Sequence, residues 1–243
     1  MYILIVGPAG SGKSLLTSEF GQYLENYYSV RYINLDSGAI RVPFKPDFDI
    51  RDFYTLEEIM KEKNLGPNGA TLEAVDRLSE IDFPQYEEDF TLLDAPGQLE
   101  PFVFRGGVEV FRSFTDGCIY LVDGTAPLKT FPSQYLYSLA TQYALEMPMI
   151  RALNKIDLLD PKKIEELERM MTDPRMFQNI EDIGMRSQMN IDIADLLMKI
   201  YTPSSFPAIS AKTQEGFENL ATLLFETTKT DHDTAAKFSL TES

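Results

Sequence analysis

One short stretch of the chain spaces glycines, a lysine and a serine in the way that a phosphate-binding loop requires. Residues 7–14 read GPAGSGKS and match the pattern G-x-x-x-x-G-K-S/T. Glycines allow such a loop to turn its backbone N–H groups towards an anion, and the N-terminus of a following helix adds partial positive charge. Lys13 is expected to reach the β- and γ-phosphates, and the Ser14 hydroxyl to bind magnesium. The predicted nucleotide contacts of this loop are Gly10, Ser11, Gly12, Lys13, Ser14 and Leu15.

A second motif follows an apolar run at residues 90–94. Asp94 ends the run, and Gly97 and Gln98 follow it in a turn. A carboxylate in this position can hold magnesium through water, and the Gly97 N–H can be attracted by a γ-phosphate, which would make the segment a switch. Gln98 can orient an attacking water, with Glu100 as its polarising partner.

Asp36 ends another apolar run, at residues 30–35. Open α/β sheets bind ligands at the edge formed by the carboxyl ends of their strands. Asp36 is therefore a candidate to hold the hydration shell of the metal or to accept a proton from the lytic water. The alternative is that it only caps a helix or a turn. The predicted metal-site residues are Ser14, Asp36 and Asp94.

Residues 154–157, NKID, match the pattern N-K-x-D and again follow an apolar run. The Asp157 carboxylate can accept hydrogen bonds from N1–H and the exocyclic amine of guanine, whereas adenine has an acceptor at N1 and no amine at C2. Asn154 can meet the other purine edge, and the Lys155 stem can cover the ring. Polar groups that pair with one base stay unpaired with the other, so the motif predicts guanine. A third segment can contact the guanine carbonyl through one of its backbone N–H groups. Its residues are Ser210, Ala211 and Lys212.

The elements that must position these motifs alternate along the chain. Continuous apolar runs are typical of strands buried on both faces of a parallel sheet, and helical spacing of apolar residues follows the first run and the last. The pattern predicts an α/β fold, a doubly wound and mostly parallel β-sheet of the P-loop NTPase type with helical insertions. The strand candidates are residues 2–6, 30–35, 90–94, 118–123, 149–153 and 206–210.

The length suits a single GTPase domain over residues 1–243. Residues 40–88 are more than a simple alternation of strands and helices requires, so they read as an insertion. This insertion contains two helix candidates. Residues 158–205 read as two or three helices inserted before the last strand, and residues 227–243 as a polar tail that frays. The helix candidates of the first insertion are residues 55–63 and 70–82.

Composition narrows the possible partners. The chain has 22 Lys and Arg against 38 Asp and Glu, a net charge of −16. Such a surface repels nucleic-acid phosphates and anionic lipids, so we expect neither direct nucleic-acid binding nor membrane binding. A single cysteine, Cys118, together with an N-terminus that lacks a basic leader, predicts a cytoplasmic protein. The only histidine, His232, lies in the polar tail, which argues against Ser-His-Asp and histidine–metal chemistry.

The triplet Gly66-Pro67-Asn68 adds a family-specific signal to these motifs. The sequence resembles the GPN-loop GTPases over nearly its whole length. Two positions depart from the common family pattern: Ala70 stands where a glycine is frequent, and Ala95 where a threonine is frequent. Without the resemblance, the triplet would read as a plain turn into a helix. The other matching stretches are residues 7–14, 34–36, 49–52, 94–98, 154–157 and 210–212.

The resemblance implies a homodimer that hydrolyses GTP to GDP and phosphate with Mg²⁺, acting as a molecular switch or as an assembly factor for a protein client. It also implies that each subunit presents its Gly-Pro-Asn loop to the γ-phosphate of the other, so Asn68 would act in trans. The remaining catalytic residues would place the water. The catalytic set implied in this way is Asp36, Asn68, Gln98 and Glu100.

Two other functions are compatible with the motifs. A P-loop kinase would transfer the phosphate to a small acceptor and would need a lid with several arginines, for which residues 158–205 are the candidate segment. A non-catalytic assembly factor would bind nucleotide only to keep its shape. The motifs do not identify the residue that supplies a positive charge to the γ-phosphate. Four arginines are candidates because they lie near the motifs in sequence: Arg41, Arg51, Arg105 and Arg112.

Overall fold

The computed structural model describes residues 1–181, 183–200 and 206–239, with the backbone alone at residues 200 and 229–239. One six-stranded sheet forms the centre, in the order β3-β2-β4-β1-β5-β6, and all five strand pairs are parallel. The predicted doubly wound sheet is thereby confirmed. The strands are β1 Tyr2–Val6, β2 Val30–Asn34, β3 Phe48–Asp49, β4 Phe90–Asp94, β5 Gly117–Asp123 and β6 Met149–Asn154.

Helices connect the strands and cover both faces of the sheet. The α-helices are α1 Lys13–Glu25, α2 Leu56–Lys63, α3 Pro67–Arg77, α4 Leu99–Phe104, α5 Glu109–Arg112, α6 Phe131–Leu145, α7 Pro161–Thr172, α8 Met185–Ile200 and α9 Phe217–Ser239. Short 3-10 turns occur at Ile50–Asp52, Leu78–Glu80, Leu128–Thr130, Ile156–Leu158 and Pro174–Asn179.

The central strands are buried on both faces because successive side chains point into two different apolar layers. Leu4 of β1 belongs to the layer formed with the helices of the two insertions. Its neighbour Ile5 belongs to the layer formed with α1 and α9, where it joins Phe20 and Leu220. This double burial explains why the strands read as unbroken apolar runs in the sequence.

The prediction of a strand at residues 206–210 is wrong. The segment forms only an isolated parallel bridge, between Ala208 and Leu153 of β6. Pro207 lacks an N–H group, so it can only accept a bond from Leu153 and cannot extend the ladder. The sixth strand is instead Phe48–Asp49, which pairs with the end of β2 and was not predicted.

The helices of the first insertion begin where their capping residues dictate. Thr55 caps α2 in a reciprocal capping box with Glu58, so the helix starts one residue later than the predicted range. Pro67 occupies the first turn of α3, three residues before the predicted start, because a fixed φ and a missing N–H are tolerated there. The Gly-Pro-Asn triplet therefore forms the N-terminal end of α3.

The second insertion contains α7 and α8, in agreement with the prediction of two or three helices. Its residues 182 and 201–205 lie outside the described part of the chain. Helix α9 reaches Ser239, so most of the segment predicted to fray is helical, and residues 240–243 lie outside the described residues. No helix within the described ranges combines the length and the apolar character needed to cross a bilayer.

Candidate nucleotide site

The phosphate loop joins β1 to α1 and bends at glycines. Gly10 and Gly12 have φ values of 77° and 99°, in the left-handed region that favours glycine. Gly12 is also the N-cap residue of α1. A Cβ atom at Gly12 would lie 2.6 Å from the side-chain nitrogen of Asn154. Both the backbone conformation and the close approach of Asn154 therefore require glycine at position 12.

The Lys13 side chain lies along this loop and is only 7% exposed. Its ammonium group donates hydrogen bonds to the backbone carbonyls of Gly7, at 3.0 Å, and Pro8, at 3.2 Å. Burial lowers the pKa of Lys13, while nearby carboxylates, Asp94 foremost, act in the opposite direction. The loop thus holds a desolvated positive charge at the position where the motif predicts the phosphates.

Asp94 ends β4 with 0% exposure, and within the described part of the chain neither of its carboxylate oxygens has a hydrogen-bond partner. Burial raises the pKa of Asp94 to about 7, while the Ser14 hydroxyl and the Lys13 charge lower it without overcoming this effect. The hydroxyls of Ser14 and Thr17 both act to lower the pKa of Asp94, although neither forms a hydrogen bond of regular geometry with it. A buried carboxylate without partners is costly. The combination of a hydroxyl and a carboxylate oxygen suits Mg²⁺, which prefers oxygen ligands.

Asp36 lies just beyond β2 and faces the turn that follows β4. Its Oδ2 accepts a hydrogen bond from the Gly97 backbone N–H at 2.9 Å, and its Oδ1 accepts one from the Gly38 N–H at 2.9 Å. The structure therefore joins the predicted γ-phosphate sensor, Gly97, directly to a predicted catalytic carboxylate.

A chain of hydrogen bonds that the sequence did not indicate anchors the backbone of Asp36. The Asp36 N–H donates to Asn34 Oδ1 at 3.1 Å, and Asn34 Nδ2 donates to Asp49 Oδ1 at 2.9 Å. Arg51 forms a bidentate pair with Asp49, at 2.9 and 2.5 Å, and donates to the Ala39 carbonyl at 3.0 Å. We call Asn34, Asp49 and Arg51 the anchor network. Its only sequence signal was the match of residues 34–36 and 49–52 to the family pattern.

The carboxylate at the centre of the anchor network is stabilised in its charged form. Burial acts to raise the pKa of Asp49, but the hydrogen bonds from Arg51 and Asn34 outweigh it and the pKa is lowered. Arg51 is therefore paired with a carboxylate of the same chain and is not directed at the phosphate loop.

The structure also shows the surroundings of the other three candidate arginines. Arg112 donates to the Ala144 carbonyl at 2.8 Å. Arg105 is half exposed and lies 3.5 Å from an Asp76 carboxylate oxygen. Arg41 is exposed on the loop that follows Asp36. Within the described residues, none of these contacts directs an arginine at the phosphate loop.

Gln98 and Glu100 are both exposed, at the cap and in the first turn of α4. Gln98, Asp36 and Gly97 line a cavity of about 260 Å³, whose other walls come from Ala9 of the phosphate loop and from the first insertion. The exposed Asn68 does not line this cavity. The structure thus brings two of the predicted water-placing residues, Asp36 and Gln98, to one cavity. Glu100 and Asn68 of the same chain do not line it.

On the other side of the phosphate loop, Asn154 is 2% exposed and connects two loops. Its Nδ2 donates to the Ser11 carbonyl at 2.8 Å, and its Oδ1 accepts from the Ala211 N–H at 3.0 Å. One N–H of its amide group is left for a purine edge. The amide predicted to contact the guanine carbonyl at Ala211 already has an acceptor in the protein.

The remaining residues that are predicted to contact the base are held in place by neighbouring side chains. Lys155, with a φ of 71°, forms a 2.6 Å ion pair with Asp123. Burial tends to raise the pKa of Asp123, but the hydrogen bond from Lys155 helps to lower it overall. The exposed Asp157 accepts a hydrogen bond from the Ser210 hydroxyl at 2.8 Å. The Lys212 N–H donates to that same hydroxyl at 3.3 Å.

Three features together define a P-loop nucleotide hydrolase: a parallel sheet with this loop after β1, an aspartate at the end of β4 that has no hydrogen-bond partner among the described residues, and an N-K-x-D motif after β6. Residues 5–230 match a family described as "Conserved hypothetical ATP binding protein". The chain is 38% identical to the GPN-loop GTPase PAB0955 of Pyrococcus abyssi over 248 residues, which cover 93% of this chain and 96% of the relative. It belongs to the GPN-loop GTPase family, and it is a GTP hydrolase.

Two further comparisons agree with this assignment. The GPN-loop GTPase 1 of Dictyostelium discoideum is 31% identical over 234 residues, which cover 89% of this chain and 58% of that protein. The crystal structure of PAB0955, described as a GTPase in apo form, superposes with a TM-score of 0.81 and 37% identity, covering 93% of this chain and 97% of the other. The family description mentions ATP, whereas the relatives are named GTPases. The predictions of family, fold and enzyme class are confirmed.

Proposed function

We propose that this GTP hydrolase is a Mg²⁺-dependent switch, working as a homodimer in the cytoplasm and acting on a protein client whose assembly it times. The observation that supports the metal requirement is the buried Asp94 carboxylate, which lacks a hydrogen-bond partner in the described structure and lies beside the Ser14 hydroxyl. The exposed position of Asn68, outside the cavity of its own chain, supports the dimer.

In the proposed reaction, the phosphate loop and Lys13 stabilise the negative charge of the triphosphate. Ser14, Asp94 and Asp36 would hold magnesium, directly or through its water ligands. Magnesium, when bound, supplies charge neutralisation at the β- and γ-phosphates. Phosphoryl transfer needs positioning and charge stabilisation more than covalent chemistry, so these residues can provide most of what the reaction requires.

The attacking water is placed at the cavity edge. Gln98 orients it, Glu100 polarises Gln98, and Asp36 accepts its proton or holds it through the hydration shell of the metal. Asn68 of the partner subunit contacts the γ-phosphate from the opposite side. Because Asn68 carries no charge, it positions groups and does not neutralise them.

Guanine is selected at the other end of the nucleotide. The exposed Asp157 carboxylate accepts from N1–H and the exocyclic amine of guanine, and the Ser210 hydroxyl fixes its orientation. Lys155 covers the ring with its stem while its ammonium stays paired to Asp123. Asn154 offers its remaining N–H to the other purine edge.

Complementation between two inactive variants tests the homodimer. Lys13→Ala removes nucleotide binding from its own subunit, and Asn68→Ala removes the group supplied to the other subunit. If Asn68 acts in trans, mixing equal amounts of the two restores one working site in each mixed dimer, or about a quarter of wild-type turnover when subunits exchange at random. If Asn68 acts within its own chain, the mixture stays inactive. Light scattering on each variant checks that it is dimeric.

Single-turnover hydrolysis distinguishes a switch from a nucleotide-stabilised scaffold. With GTP and Mg²⁺ alone, Gln98→Ala is expected to lower the hydrolysis rate by about 100-fold while leaving GTP affinity within a factor of two. Wild-type protein that leaves GTP intact until a small acceptor is added would support the kinase alternative. A hydrolysis rate that Gln98→Ala does not change would show that Gln98 does not place the water.

A further inference from the structure

We propose that Asp36 competes with the γ-phosphate for the backbone N–H of Gly97, and thereby determines how strongly the site prefers GTP over GDP. This inference rests on the proposed contact between Gly97 and the γ-phosphate. It assigns to Asp36 a role in nucleotide selectivity in addition to its proposed role at the attacking water.

The geometry of one hydrogen bond carries the inference. Asp36 Oδ2 lies 2.9 Å from the Gly97 nitrogen, well inside hydrogen-bonding distance. A backbone N–H is a single donor. A γ-phosphate oxygen and the Asp36 carboxylate therefore cannot both hold it at full strength. Both acceptors are anionic, so the arriving phosphate also meets electrostatic repulsion while the carboxylate occupies this position.

The exchange requires only a local movement of the Asp36 side chain. The Asp36 N–H is bound to Asn34, and the anchor network connects Asn34 through Asp49 to Arg51. The backbone at Asp36 is thus held independently of Gly97. The carboxylate can rotate away from Gly97 about its side-chain bonds while the main chain stays in place, and this rotation also weakens the 2.9 Å hydrogen bond from the Gly38 N–H to Oδ1.

Displacement of this carboxylate couples recognition to catalysis. When the γ-phosphate takes the Gly97 N–H, Oδ2 of Asp36 loses its partner beside the cavity that Gln98 also lines. An oxygen without a donor is then available to accept a hydrogen bond from the attacking water. GDP has no γ-phosphate and leaves the Asp36–Gly97 bond intact. The catalytic carboxylate is therefore released only by the nucleotide that can be hydrolysed.

Nucleotide affinities of Asp36 variants test the competition. Calorimetric titration with Mg²⁺ would compare GDP with guanylyl imidodiphosphate, a triphosphate analogue that resists hydrolysis, in the wild-type protein, Asp36→Ala and Asp36→Asn. We expect Asp36→Ala to bind the analogue about tenfold more tightly, since a competing charged acceptor is removed. The ratio of analogue affinity to GDP affinity should rise by a similar factor, because GDP has no γ-phosphate that competes for the Gly97 N–H. Asp36→Asn, whose amide oxygen is a weaker and uncharged acceptor, should show a smaller gain.

Two kinds of result would overturn the proposed competition between Asp36 and the γ-phosphate. Weaker binding of the analogue by both variants would show that Asp36 assists the γ-phosphate, for example through the metal. Unchanged affinity, or an equal change for both nucleotides, would show that no competition exists. Thermal unfolding of each variant establishes that it is folded, and Asp36→Asn provides the test if Asp36→Ala is not.

An amide NMR measurement separates a failure of this inference from a failure of the proposed function. In wild-type protein labelled at glycine nitrogen, the Gly97 resonance should move on addition of the analogue and stay in place with GDP. If it responds alike to both, the γ-phosphate contact itself is absent. If it responds to the analogue alone but Asp36→Ala gains no affinity, the contact exists and the competition does not.

Discussion

The two ends of the nucleotide site differ in how completely their polar groups are satisfied by the protein. At the base-reading end, Asn154, Lys155 and Asp157 each have a specific partner in the same chain. At the phosphate end, the buried oxygens of Asp94 lack partners in the described structure, and Asp36 occupies an N–H predicted for the ligand. A purine bound as proposed would therefore meet a preassembled surface, whereas the phosphates and the proposed metal would supply partners that the protein lacks.

This difference indicates which end of the site can couple ligand binding to a change in the conformation of the protein. Preassembled hydrogen bonds lose little freedom on binding and give specificity. Unpaired buried charges destabilise the site until a ligand pairs them, so the ligand changes the relative stability of conformations there. Discrimination between bases and discrimination between phosphate states are thus separate tasks, and each can be disrupted alone.

The largest effect is expected at the phosphate end, from Lys13→Ala. Loss of the buried ammonium should lower kcat/KM for GTP by about 1000-fold, because a preorganised positive charge is removed from the transferred group. Steady-state phosphate release measures this. Lys13→Arg is the matched control: it keeps the charge but should also be strongly impaired, since the guanidinium does not fit the two loop carbonyls that hold the lysine.

The base-reading end is tested next by Asp157→Asn. We expect GTP affinity to fall by about 100-fold, because the amide presents a donor where guanine also has donors. Xanthosine triphosphate, which has a carbonyl in place of the exocyclic amine, should become the better ligand. A competition assay with a fluorescent nucleotide measures both. Equal losses for GTP and xanthosine triphosphate would show that Asp157 supports the loop without reading the base.

Asp94→Asn tests whether the phosphate end is held in an unfavourable state. Without Mg²⁺ and nucleotide, the variant should be more stable to unfolding by about 2 kcal/mol above pH 7, because it removes a buried carboxylate that has no hydrogen-bond partner among the described residues. The pKa of Asp94 is raised to about 7 in the folded protein, above its value near 4 when unfolded. Between these values the unfolded chain has released a proton that the folded protein keeps, so wild-type stability falls as pH rises.

The gain from Asp94→Asn should accordingly be near zero at pH 4 and complete above pH 7. Denaturant unfolding at several pH values measures it. Asp157→Asn is the control, since it removes an exposed carboxylate and should give no comparable gain. A pH-independent gain, or a loss of stability, would contradict the view that Asp94 is strained by burial.

The smallest effect is expected from Arg51→Ala, which loosens the loop that carries Asp36. Turnover should fall about fivefold, because a hydrogen bond to a charged partner is lost and the catalytic carboxylate is less well placed. GDP affinity should not change. Arg51→Lys keeps the charge but not the bidentate pair and should recover part of the rate. A larger loss in GDP affinity than in turnover would argue for a general structural role.

Much of the fold could be predicted because strands that are buried on both faces of a parallel sheet appear in the sequence as continuous apolar runs. β1, β2, β4, β5 and β6 were found in this way. β3 could not be found, because it has two residues and no apolar run of its own. The segment at 206–210 is apolar, yet Pro207 limits its pairing, and hydrophobicity alone does not report this.

Predictions for the candidate site could be made from the sequence where its residues are adjacent in the chain. The phosphate loop and the guanine motif are of this kind. The contact of Asp36 with Gly97 joins residues 61 positions apart and depends on β2 and β4 being neighbours in the sheet. The pairing of Arg51 with Asp49 likewise depends on how the short β3 turns into the first insertion. Motif spacing contains no information on either contact.

The hydrogen bonds of Asn154 have one more consequence, for the release of spent nucleotide. Its side chain connects the loop under the phosphates to the loop beside the purine, so neither loop can shift without weakening its hold on the other. A displacement of the backbone at Ala211 would therefore loosen the contacts at both ends of bound GDP at once.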